Sequence, residues 1–61
     1  MKKKLQKMET ELRRMVETLE EKAGNAFDLE TDVGDERGQE LEDKAQLLEQ
    51  SADAISEFLE L

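Results

Sequence analysis

The side chains able to take part in chemistry gather in one stretch of this chain, residues 25–40, NAFDLETDVGDERGQE. Asp28, Glu30, Asp32, Asp35, Glu36 and Glu40 surround two glycines there. Such carboxylates invite a calcium reading. An EF-hand loop needs oxygen ligands at positions 1, 3 and 5, glycine at 6 and a bidentate Glu at 12. Counted from Asp28, position 6 is Val33 and position 12 is Gln39. Counted from Leu29, Gly34 and Glu40 fall correctly, but Leu29, Thr31 and Val33 take the ligand positions. No register satisfies the loop, so no metal site is expected. A carboxylate pair does acid–base work only where a pocket raises one pKa, and so short a chain has little material for a pocket. Ser51 and Ser56 have no histidine to activate them, because His is absent. Cys is absent too, which removes both zinc ligation and disulfides. Neither an enzyme nor a cofactor is expected. The acidic stretch reads as a solvated joint that starts a helix.

What must position that joint is a single domain of 61 residues, 1–61, rich in helix formers and without proline. The reading is all-α: a helix over about 3–23, an acidic loop over about 24–34, and a helix over about 35–60. In the first helix Leu5, Leu12 and Leu19 repeat at heptad position a, with Met8 and Met15 at d and Val16 and Ala23 at e. Glu9 and Arg13 form an i,i+4 pair. Gly24 and Asn25 offer a left-handed C-cap. In the second helix Leu41, Leu48 and Ile55 take d, and Gly38, Ala45, Ala52 and Leu59 take a. Asp32 or Asp35 can cap its start. The small a residues form a groove that the Leu and Met seam of the first helix would fill. An antiparallel helical hairpin follows.

A second stripe on the second helix, Leu47, Ala54, Phe58 and Leu61, has no cover within one hairpin. Sixty-one residues make a marginal core, so self-association of these residues into a dimeric four-helix bundle is expected. Phe27, Leu29 and Val33 are the loop's apolar residues. They either plug the end of the hairpin or, in the case of Phe27, anchor a partner.

The net charge of −8 is unevenly spread. Residues 1–24 hold seven basic and five acidic side chains; residues 25–61 hold two basic and twelve acidic. Antiparallel folding brings Lys2, Lys3 and Lys4 near Glu57 and Glu60. Nucleic-acid binding needs clustered cations, and the acidic excess argues against it. No apolar run exceeds two residues, so no membrane span is expected, and the basic start lacks the apolar stretch of a signal peptide. A cytoplasmic location is expected.

Residues 35–60, DERGQELEDKAQLLEQSADAISEFLE, resemble small acidic helical-hairpin proteins encoded by phages and prophages of Gram-positive bacteria, and MKKKLQKMETEL fits the same layout. The step Glu36-Arg37-Gly38 carries the resemblance best; the loop NAFDLETDV departs from it. The resemblance implies an accessory protein that binds and inhibits a host protein, such as one of anti-phage defence. Partner-binding candidates are Phe27, Asp28, Glu30, Glu42 and Glu49. One alternative is an oligomeric sponge for a small signalling nucleotide, which would need Arg13, Arg14, Arg37 and Lys44 to converge. Another is a structural or assembly part.

Overall fold

The computed structural model describes every residue from Met1 to Leu61 and contains two helices, α1 over Lys2–Phe27 and α2 over Asp32–Glu60. They pack side by side as a hairpin, with no strand. The molecule is a rod of 45 × 13 × 11 Å, close to the length expected of α2 alone at about 1.5 Å per residue.

The linker is far shorter than the eleven-residue loop expected from the sequence: only Asp28–Thr31 separates the helices. Gly24 does not end α1. No glycine has a positive φ, so the expected left-handed cap at Gly24 and Asn25 is not formed. Helical glycine costs about 1 kcal/mol, but stopping there would strand Ala26 and Phe27, which pack against α2. The chain turns instead through Glu30, whose φ of 53° is left-handed. α2 also starts earlier than expected. Its N-cap is Thr31, not Asp32 or Asp35: the Gly34 N–H donates to the Thr31 hydroxyl at 3.0 Å. Asp32 and Asp35 lie in the first turn, where the helix dipole favours negative charge.

The core is thin and made of small residues: Val16, Ala23 and Ala26 of α1 against Gly34, Gly38, Leu41, Ala45 and Ala52 of α2. α2 presents the a/d seam expected of it. α1 does not. Its buried line runs through Val16 and Ala23 at e, while Met8 and Met15 at d are half exposed. Between Leu5 and Phe27 either choice meets one charged residue, Lys22 at d or Glu9 at e. Lys22 falls near the linker, where the helices approach closely. A Cβ on Gly34 would lie 2.5 Å from the Ala26 carbonyl oxygen, and one on Gly38 would lie 2.7 Å from the Phe27 ring. A lysine cannot enter so narrow a crossing. Glu9 falls toward the open end, where it stays partly solvated and receives a hydrogen bond from Arg13.

The three glycines therefore differ in role. A Cβ at Gly24 meets nothing within 4 Å. Gly24→Ala should raise stability by about 1 kcal/mol through helix propensity, whereas Gly34→Ala should lower it by about 1–3 kcal/mol through overpacking against backbone. Urea denaturation followed by circular dichroism, at equal protein concentration, checks both signs.

Candidate functional site

One polar contact crosses between the helices. Arg13 donates through Nη2 to Glu9 Oε2 on its own helix and to Asp53 Oδ1 on α2, each at 3.2 Å. These bonds hold the guanidinium pKa above its ordinary value, the Glu9 bond first and the Asp53 bond second. Arg13 and Asp53 are exposed and Glu9 is half-buried, so the Arg13–Asp53 pair orients the helices more than it stabilises them. Lys2, Lys3 and Lys4 share an end of the rod with Glu57 and Glu60 but form no ion pair with them.

The Arg13–Asp53 contact fixes which edges of the two helices share a face. On that face Glu17 and Glu20 of α1 approach Glu42 and Glu49 of α2. Together with Arg13 and Gln46 they line two shallow, open clefts of about 390 and 220 Å³, with the buried Val16 and Ala45 beneath. Arg13 is the one cation in either cleft. Of the candidate partner residues, Glu42 and Glu49 thus sit together. Glu17 and Glu20 complete their face and were not anticipated. Their signal was in the sequence, because an antiparallel register that matches Arg13 to Asp53 also brings Glu20 alongside Glu42 and Glu49.

The loop candidates are arranged differently. The ring of Phe27 lies against Gly38 and is half-buried, closing the end of the hairpin. Asp28 and Glu30 are exposed in the linker, as are Leu29 and Val33. Phe27 alone of the three apolar loop residues serves as the plug. No group of three acidic side chains stands close enough to hold a metal ion.

The opposite face carries exposed large apolar side chains, with Lys22, Lys44 and Ser51 among them. With about 3.6 residues per turn, Met8, Met15 and Lys22 share one edge of α1, and Lys44, Ser51 and Phe58 share the matching edge of α2. Met8, Met15, Leu47 and Phe58 are 51%, 50%, 64% and 62% exposed. Between them the half-buried Leu12, Leu19, Leu48 and Ile55 show their outer sides. A groove of about 510 Å³ runs along Met15 and Leu19, bordered by Glu11, Arg14, Thr18 and Lys22. Ala54 and Leu61, grouped with Leu47 and Phe58 by the sequence pattern, lie further round on the back of α2 and are exposed.

The basic candidates do not converge within one chain. Arg13 is engaged on the acidic face, Arg14 borders the apolar groove, and Arg37 pairs with Glu40 at 3.5 Å near the linker. Lys44 lies on the edge of the apolar face, away from Arg13. No helix is long and apolar enough to cross a membrane.

Because the Phe27 ring is packed, Phe27→Ala should cost about 1–3 kcal/mol, less than the roughly 3–5 of a fully buried ring. Leu29→Ala, at an exposed position, should change stability by no more than about 0.5 kcal/mol. Equal effects in a denaturation experiment would contradict the plug. Comparison with known proteins returns no matching family model, no similar curated protein and no similar solved structure.

Proposed function

We propose that the chain is a non-enzymatic accessory protein that works by binding another protein through its acidic face, as a phage-type inhibitor of a host protein. It does so as a homodimer, two hairpins forming a four-helix bundle. The observation behind the reading is the acidic face itself. Glu17, Glu20, Glu42 and Glu49 come from both helices, with Arg13 the sole cation among them. Clustered like charge on a rigid surface produces a field that steers a basic partner and penalises an acidic one. The resemblance of residues 35–60 to small phage and prophage proteins supports a host protein as the target.

The open, shallow clefts suit a protein surface better than a small substrate, which needs concave burial. Dimerisation is supported by the exposed Leu47 and Phe58 on a core too small for comfort. The nucleotide-sponge alternative gains nothing from the geometry. Arg13 and Arg37 are each engaged by carboxylates at different levels of the rod.

Affinity capture of the tagged protein from bacterial lysate, with bound proteins and bound metabolites both identified, tests the reading. The expected result is a retained host protein that elutes as salt rises and is lost with the double variant Glu42→Lys, Glu49→Lys. A retained nucleotide lost with Arg37→Ala would replace the inhibitor by the sponge. Recovery of the protein alone would leave a structural or assembly role.

A further inference from the structure

We infer that the face carrying Met8, Met15, Leu47 and Phe58 is the surface on which a second copy of this chain docks, so that the dimer presents its two acidic faces outward, on opposite sides. The inference rests on the self-association reading above and assigns the face that reading leaves open. Three observations carry it.

The first is area. The chain exposes 4983 Å² at a mass of 7.0 kDa, where a compact monomer of that mass would expose about 4,000 Å². The excess, about 1,000 Å², is comparable to the roughly 800 Å² that one partner contributes to an interface of standard size. A second hairpin laid flat on this one would remove it.

The second is composition. This face draws large apolar side chains from both helices, and it is continuous with Leu19, Leu48 and Ile55, which the hairpin leaves half-buried. A cover there would finish burying the seam. Beyond Leu47, which borders it, the back of α2 offers only the small Ala54 and the terminal Leu61, both exposed. Methionine suits a surface that packs against an identical copy, since its unbranched chain adapts to whatever it meets.

The third is charge. With its acidic face on one side, the hairpin stacks on a second copy at lower electrostatic cost through the other side. The charges on the two edges there are Lys22 and Lys44, both in the linker half of the rod. Acidic face to acidic face would set Glu17, Glu20, Glu42 and Glu49 against their own counterparts across a two-fold axis. Apolar face to apolar face keeps those carboxylates in water and apart.

Light scattering at micromolar concentration, with circular dichroism as the check on folding, tests the assignment. The native chain should show twice the chain mass. The double variant Met15→Glu, Phe58→Glu should show the mass of one chain, and Ala54→Glu should remain a dimer. A dimer that survives the double variant, or that is lost with Ala54→Glu alone, overturns the face while leaving self-association standing. A monomeric native chain overturns both. Should the double variant lose its helix, cross-linking decides, because the chain has no cysteine of its own. Met15→Cys should form a disulfide between copies on mild oxidation and Ala54→Cys should not; the reverse pattern overturns the assignment.

Discussion

The two helices can meet at the linker end only because α2 has no side chain at Gly34 and Gly38. The Ala26 carbonyl and the Phe27 ring occupy the space where a Cβ at those positions would stand. Much of the rest of the hairpin depends on this contact. It keeps α1 helical past Gly24, since Ala26 and Phe27 must arrive in helical register. It shortens the connection to Asp28–Thr31, within the two to five residues common in helical hairpins. It also selects the line of α1 that faces α2, because only a small residue such as Ala23 fits beside so close a crossing.

Two elements and their antiparallel pairing were legible from heptad spacing. The seam of α2 was legible in detail, because glycine and alanine at a and bulkier residues at d leave one choice. α1 was ambiguous. Positions a/d and a/e both alternate steps of three and four, and between Leu5 and Phe27 each is broken by one charged residue, Lys22 or Glu9. Only the level of each along the rod separates them, and that level depends on the linker length. The linker was misread because Gly24 and Asn25 carry strong stop chemistry. A local preference of about 1 kcal/mol yields to the burial of Ala26 and a phenylalanine ring two residues further on. Glu30, with no glycine's freedom, takes the left-handed turn instead.

The same register sorts the surface. With Arg13 opposite Asp53, carboxylates from both helices fall on one side of the rod, and methionines with Phe58 on the other. In the sequence the acids of residues 25–40 stand out first and read as a solvated joint that starts a helix. In the structure Asp28 and Glu30 lie in a short turn, Asp32 and Asp35 serve the first turn of α2, and a separate acidic surface built from both helices lies along the rod at Glu17, Glu20, Glu42 and Glu49. Half of that surface comes from the segment whose net charge is positive, so no sum over segments could have located it. The charge asymmetry of the sequence gives way to an asymmetry of faces.

The contact of the Phe27 ring with Gly38 is therefore the point at which to test the fold and the division of its surface. Proton NMR reads it directly, because an aromatic ring shifts the resonances of protons held over its face. The two Gly38 Hα resonances should move upfield of ordinary helical glycine, show Overhauser contacts to the Phe27 ring, and return to ordinary positions in Phe27→Leu. Gly38 Hα resonances at ordinary positions in the native chain, with no contact to the ring, would contradict the crossing and with it the assignment of the two faces.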